Sequence, residues 1–405
     1  RHLISMTDVV TTDIFIAGAG PTAFAAASEC AASGFSVILA APTETPLQSD
    51  ARTTALMMPG VGMLQDFGVW DDLAEKATAM KTLRIVDATG RLLRAPTVDF
   101  RASEAGEEQF GYNIPNLALN RVLREAVENN GTIEVIDAMA SAIAFNENNA
   151  TATLSNGTQV EAKLVVGADG VQSLVRNAAE IGERNWAYPQ TAVVTAFDHE
   201  KPHGGVSTEF HTVDGPFTQV PLQGNRSSLV WVTKPDSVSE LTGLDADSLS
   251  MRIERNLQHM LGKISNVAPL QPWPLSTMVA NRFGGERVML VGHAAHAFPP
   301  TGAQGLNLGF RDIEDLGAVL SEAHADSRDP GAWKTTRAYD RRRRADVYLR
   351  TGAVDALNRS LLNGFLPVQA VRSIGMSALK NAAPLRSFFM REGIQPGSGM
   401  RGLFG

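Results

Sequence analysis

Three clusters in this 405-residue chain have the residue types and spacing to do chemistry. The first, Gly18-Ala19-Gly20-Pro21-Thr22-Ala23, lies between the apolar run Ile14 to Ala17 and an alanine-rich stretch ending at Ser33. The second, Gly167-Ala168-Asp169-Gly170, closes another apolar run and continues to Ser173 and Arg176. The third begins at Val291-Gly292-His293-Ala294-Ala295-His296 and runs through Pro299-Pro300 to Gly302-Ala303-Gln304-Gly305-Leu306-Asn307. Glycines at the end of a buried strand let backbone approach a phosphate, and the N-H groups of a following helix supply partial positive charge. In the first cluster Gly18 would make the tight turn, Gly20 would admit a pyrophosphate, and Ala23 would fill the small third position against the strand. The chemistry on offer is the binding of an extended dinucleotide.

These residues need elements to hold them. Ile14 to Ala17, the alanine-rich stretch and Val37-Ile38-Leu39 read as a βαβ unit with two buried parallel strands. Residues 112 to 130 carry helical spacing (Leu119, Val122, Leu123, Ala126, Val127) and stop at Asn129-Asn130-Gly131. Strand-like pieces follow around 132–137, 150–155 and 158–167, with a tight hairpin turn at Asn156-Gly157. From about 184 to 277 the texture changes to short β-type runs broken by Gly, Pro and Asn, with one clear helix near 247–261. Val288 to Val291 returns to a buried parallel strand, and a helix starts at about 305. The last 70 residues read as helical, with Arg341 to Arg344 as a solvated helix face.

Composition narrows the function classes. A hydrophobic fraction of 44% and a charged fraction of 20% describe a globular chain, and a net charge of −7 argues against a nucleic-acid partner. The single cysteine, Cys30, excludes an internal disulfide framework and reads as a core residue. No stretch approaches the roughly 18 apolar residues of a spanning helix, and the opening RHLISMTD carries no secretory pattern, so the cytoplasm is the expected compartment. His293 and His296 lack a third ligand, and no metal is expected. The fingerprint calls for an acidic residue about 20 positions on, at the end of the second strand. Ala40 or Ala41 stands there, and Glu44 lies further on in a Pro-bounded loop.

With the three clusters go Asp50-x-Arg52-x-x-Ala55-Leu56, Asn120-Arg121, Arg311-Asp312, and Pro384-Leu385-Arg386 to Met390-Arg391-Glu392-Gly393. On these the chain resembles the aromatic-ring flavin monooxygenases of the p-hydroxybenzoate hydroxylase fold, and among them the ubiquinone-biosynthesis hydroxylases. The resemblance implies an α/β architecture: a Rossmann-like FAD-binding domain (1–75, 112–183, 278–335) interrupted by a mostly antiparallel β substrate domain (76–111, 184–277), with a helical C-terminal region (336–405). It implies FAD along the first βαβ unit, contacted at Gly18, Gly20 and Ala23. Arg52 and Arg121 would lie beside its phosphates and ribose, and its ring system near Gly302, Gln304, Gly305 and Asn307. Asp169 would help organise both FAD and a transient NADH or NADPH. His293 takes a position where most members carry an Asp that holds a ribityl hydroxyl, and Ala40 stands where many carry Glu.

The reaction so implied is hydroxylation of an aromatic ring with O2, on a lipophilic polyprenylated phenol of ubiquinone biosynthesis, with no obligatory catalytic side chain. A flavin-free structural partner in a ubiquinone-biosynthesis complex, and a flavin oxidoreductase that does not hydroxylate, are the alternatives. The tail from Leu361 to Leu379, with Arg372, Lys380 and Arg386 interleaved, reads either as a cap on the core or as a basic amphipathic surface. The second reading would give peripheral contact with the inner face of the cytoplasmic membrane and room to associate with other proteins of the pathway.

Overall fold

The computed structural model describes residues 9–43, 52–90, 95–299 and 304–362, with backbone alone for 304 and 349–362. Its first sheet grows from β1 (Val9–Ala17), whose Ile14, Phe15 and Ile16 are buried on both faces as a continuous apolar run in a parallel sheet should be. The chain leaves β1 through α1 (Pro21–Ala32) and returns as β2 (Val37–Ala40), pairing Ile14 with Val37 in parallel. Ala23, Ala25, Ala26, Ala27 and Cys30 let α1 lie close on the sheet.

β8 (Ile133–Ile136) continues the sheet beyond β2. On the other side of β1 lie β11 (Gln159–Gly167) and β19 (Val288–Leu290), edged by β18 (Gly284–Gly285). β10 (Ala150–Leu154) and β9 (Ala140–Phe145) hang antiparallel from β11. The strand order therefore reverses between β1 and β11, and the crevice at their carboxyl ends, beyond the pair Ala17 and Gly167, is a topological switch point.

A second sheet of nine strands is mostly antiparallel. Its order is β20 (His296–Ala297), β17 (Gln271–Ala280), β12 (Glu183–His199), β15 (Arg226–Thr233), β14 (Pro216–Leu222), β13 (Val206–His211), β5 (Thr82–Asp87) and β6 (Val98–Arg101), with β16 (Ile264–Ser265) beside β12. β12 and β17 form a long ribbon: Glu183 to Ala187 pair with Ala280 to Ser276, the register shifts, and Thr191 to Val194 pair with Pro274 to Gln271. The helices α6 (Pro235–Thr242) and α7 (Ala246–Asn256) cover one face, over Val193, Phe197, Phe217 and Trp231. The other face carries Ala192, Val232 and Leu275 with Tyr188 and Val230.

A small third sheet, β3 (Thr53–Met57), β7 (Gly111–Pro115) and β4 (Thr78–Met80), lies against that second face. Thr53 Oγ1 meets Ser228 Oγ at 3.0 Å, and Asn113 Nδ2 donates to Pro221 O at 2.9 Å. The short helices α2 (Met58–Asp66) and α3 (Trp70–Ala74) follow β3, and α4 (Asn116–Glu128) follows β7. α5 (Leu174–Ala178) follows β11, and α8 (Gln304–Ala325) and α9 (Trp333–Leu362) complete the described chain.

The structure departs from sequence expectation in several places. The helix expected from 112 begins at Asn116, because Gly111 to Pro115 are drawn into β7 against β3. β9 and α6 had no sequence signal strong enough to stand out. The four arginines 341 to 344 do not all face solvent: Arg341, Arg342 and Arg344 are exposed, whereas Arg343 is 1% exposed and meets Asp312 at 2.6 Å, Asp315 at 2.8 Å and Asp346 at 3.0 Å. A helix turns about 100° per residue, so a run of four spans its whole circumference and one member must point inward when one face is packed. The tail motif at Pro384 to Gly393 lies outside the described residues.

Candidate functional site at the strand switch

The first turn shows why two glycines are needed for different reasons. Gly18 has φ +144°, and a Cβ there would lie 2.3 Å from Ala168 O, so the backbone itself excludes any side chain. Its N-H donates to Ala40 O at 3.1 Å while Ala168 N donates to Ala17 O at 2.9 Å, which laces three strand ends together. Gly20 has ordinary extended angles (φ −102°, ψ 175°), and a Cβ there would meet nothing within 4 Å. The protein does not need a glycine at 20 for its own packing; the position keeps space open in front of α1. Ala23, fully buried, comes within 3.1 Å of the Cβ position of Gly18, as the small third position requires.

The second cluster closes on itself. Asp169 accepts from Ser173 Oγ and from Val175 N at 3.1 Å, and Ser173 Oγ accepts from Arg176 N at 2.9 Å, so the carboxylate caps α5. Arg176, 2% exposed, donates to Val171 O at 2.7 Å and to Ala294 O at 2.9 Å, and pairs with Glu183. It thereby binds the turn after β11 to the turn after β19.

The third cluster starts with Gly292 at φ +58°. Its N-H donates to Asp312 Oδ2 at 2.8 Å, and the same carboxylate meets His296 Nε2 at 2.7 Å and Arg343 Nε at 2.6 Å. Burial alone would raise the carboxyl pKa of Asp312; His296, Arg343 and the Gly292 N-H hold it below the usual range. His296 is fully buried and stacks on Phe298 with ring centroids 5.7 Å apart. His293 reaches solvent, but from inside the crevice: crowding there, then the like charges of His296 and Arg52, push its pKa below the usual imidazole value. The two histidines serve separate surroundings, one an internal ion network and the other the crevice wall.

The remaining expected residues divide. Arg52 lies over the ring of Trp273, 5.0 Å from its centroid, so it stands between the small sheet and β17. Asn307 is a structural tie: its Oδ1 accepts from Met57 N at 2.8 Å and its Nδ2 donates to Ala55 O at 2.8 Å, which fixes β3 to α8. Gln304 opens α8, Gly305 follows it beside His293, and Gly302 lies outside the described residues. Arg121 is exposed on α4 with Glu125 at 3.7 Å.

One turn along α4, Arg124 does what the sequence did not single out. It donates to Ala41 O (3.2 Å), Pro42 O (3.1 Å) and Thr43 Oγ1 (3.1 Å), closing the end of β2 where the fingerprint asks for an acid. Ala40 and Ala41 there are buried. Trp273 and Arg124 are two site-bordering residues that sequence reasoning missed; the i,i+3 spacing of Arg121 and Arg124 was the signal available for the second, and nothing in the sequence marked the first.

The Asn307 tie has a measurable consequence. Asn307→Leu removes both bonds and leaves the Met57 N-H without its acceptor, a local cost of about 2–3 kcal/mol. Amide exchange at Met57 should accelerate by tens of fold while β1 exchange stays as it was. Unchanged protection at Met57 would show that β3 is held elsewhere.

A family model described as FAD binding domain matches residues 11–350. Over 391 residues the chain is 34% identical to ubiquinone hydroxylase UbiL of Rhodospirillum rubrum, covering 94% of this chain and 89% of that protein. It is 30% identical over 381 residues to 3-demethoxyubiquinol 3-hydroxylase of Escherichia coli, covering 93% and 96% of the two chains. The solved p-nitrophenol 4-monooxygenase PnpA from Pseudomonas putida DLL-E4 superposes with a TM-score of 0.77 at 18% identity, over 97% of this chain and 98% of that one, and shows the shared fold. The chain belongs to the FAD binding domain family and, within it, to the FAD-dependent monooxygenases that include the ubiquinone hydroxylases.

Proposed function

We propose that the protein hydroxylates the aromatic ring of a polyprenylated phenol in ubiquinone biosynthesis, with FAD as resident cofactor and NADH or NADPH as transient reductant. The observation that carries this is the identity of 30–34% to two ubiquinone-pathway hydroxylases over more than nine-tenths of the chain. That span favours the enzyme over a flavin-free structural partner. The crevice fits the cofactor: Gly20 leaves open space at the N-terminus of α1, where a pyrophosphate is best stabilised, and the switch point opens toward the N-terminus of α8. In this reading the eight-stranded sheet is the FAD-binding body and the nine-stranded sheet the substrate body.

When reduced by NAD(P)H, the flavin supplies the chemistry that places one atom of O2 on an electron-rich ring. The protein binds, orients and dries the site. Arg176 holds the two turns at fixed separation, and Asn307 holds β3 at the floor. The wall for the substrate is the face of the nine-stranded sheet that carries Ser228. Because strand side chains alternate, Val230 and Val232 share that face with Ser228, and the Ser228–Thr53 contact turns it toward β3. Ala192, Val232 and Leu275 make this wall apolar, suited to excluding water around a lipophilic phenol.

No helix among the described residues is long and apolar enough to cross a membrane. Peripheral contact with a membrane, and other proteins of the pathway as partners, belong to this reading through the lipophilic character of a polyprenylated phenol. Deleting the gene should cause a ubiquinone precursor lacking one ring hydroxyl to accumulate. Normal quinone levels with no such precursor would remove the pathway assignment and leave the fold untouched.

A further inference from the structure

The His293 imidazole sits where several sources of positive potential meet. The turn Gly292-His293-Ala294 is wedged against the first turns of two helices. A Cβ on Gly292 would lie 2.9 Å from Thr22 Cγ2 of α1, one on Gly309 of α8 3.1 Å from Thr22 Oγ1, and one on Gly305 3.9 Å from His293 Nε2. α1 and α8, of 12 and 22 residues, thus bring their N-terminal ends together at the ring, and neither carries an acidic residue in its first turn. Arg52 and His296 add cationic character from the small sheet and from β20.

The carboxylates and cations nearby are already committed. Asp312 beneath the turn is engaged by the Gly292 N-H, His296 and Arg343; Asp169 across the crevice by Ser173 and Val175. Arg176 is paired with Glu183. Crowding of the ring and this field together hold its pKa below the usual imidazole value in the free protein.

We propose that His293 takes up a proton when FAD binds and holds the cofactor as an imidazolium. The inference rests on the reading that FAD occupies this crevice. The FAD pyrophosphate carries two negative charges, and its arrival at the N-terminus of α1, beside the Gly292-His293-Ala294 turn, reverses the sign of the field at the ring. The bound form then holds more protons than the separate partners, so affinity must rise as pH falls between the free and bound pKa values of the ring. Oxidised FAD carries no group that ionises around neutrality, which leaves the protein as the source of any proton uptake.

Calorimetric titration of the apoprotein with FAD, in two buffers of different ionisation enthalpy and across pH 6 to 8, reads the proton directly. The expected result is uptake of about 0.3 to 1 proton and an affinity that weakens about fivefold or more from pH 6 to pH 8. In His293→Asn both effects should vanish while FAD still binds. Binding without buffer-dependent heat in the native chain, or undiminished uptake in His293→Asn, overturns the proposal while leaving FAD in place. Absence of any FAD binding would instead overturn the cofactor reading beneath it.

Discussion

Arg343→Met should lower the free energy of unfolding by about 3–5 kcal/mol, the cost of stranding buried charge when one partner of a buried pair is removed. Arg343 faces three carboxylates, those of Asp312, Asp315 and Asp346, and Asp312 has no access to solvent. Methionine follows the arginine stem to about the position of Nε and removes only the guanidinium, so most of the loss is electrostatic. The pH dependence gives a second check. A carboxylate held below its ordinary pKa stabilises the native state above that ordinary value and loses its contribution as pH falls through the lowered one. In the variant the stranded charge is costly at pH 7.5 and is relieved as the carboxylates protonate, so the gap from the native protein should narrow toward pH 4.5. Urea titrations at the two pH values decide it; a loss under 1 kcal/mol at pH 7.5, or one independent of pH, would contradict the network. Asp312→Asn in the same background should recover part of the stability, since the buried charge is gone.

Gly20→Ser should leave the fold intact and weaken FAD binding by about 100-fold, or about 2.7 kcal/mol. Serine is a favoured N-cap residue with angles like those Gly20 already has, and its Cβ would enter open space, so the melting temperature should move by no more than a degree or two. The same space is where the pyrophosphate belongs, and the new side chain competes for it. Gly18→Ala is the contrasting variant: its methyl group meets the carbonyl of Ala168, and the damage should appear in folding before binding. Flavin fluorescence quenching and thermal melts on the two variants separate these effects. Native FAD affinity in Gly20→Ser would place the cofactor elsewhere.

The parts of the fold legible in the sequence are those where one physical demand dominates. Ile14 to Ala17 and Val288 to Val291 read as buried strands because both faces of a parallel sheet are covered. Asn156-Gly157 reads as a hairpin because the turn needs positive φ, and Gly157 has +89°. β9 was not legible: its residues are mostly at the surface, so no alternation marks them. Arg343 was misread because four arginines in a row look solvated, and its inward partners come from α8, some 30 positions earlier in the chain. At the site, glycine roles could be read from spacing, but the commitment of Asp169 to its own helix cap and of Asn307 to β3 depends on tertiary contacts that spacing does not encode. Arg121 and Arg124 could not be ranked from sequence, since which of them reaches the end of β2 depends on how α4 is rotated.

The β12–β17 ribbon bears on how such an enzyme could be rebuilt. One end of it is stitched to the nucleotide crevice, where Asn281 N donates to Gly182 O at 2.8 Å, Ala280 N donates to Ala295 O at 2.8 Å, and Val279 pairs with His296. The other end lies within the nine-stranded sheet, where β12 pairs with β15. The molecule therefore has a keel in place of a hinge: two paired strands run through the seam, and wide opening would tear their ladder. A chimera that exchanges the substrate sheet with a relative's must cut both strands at matching rungs, and the register shift between Ala187 and Thr191 is the natural splice.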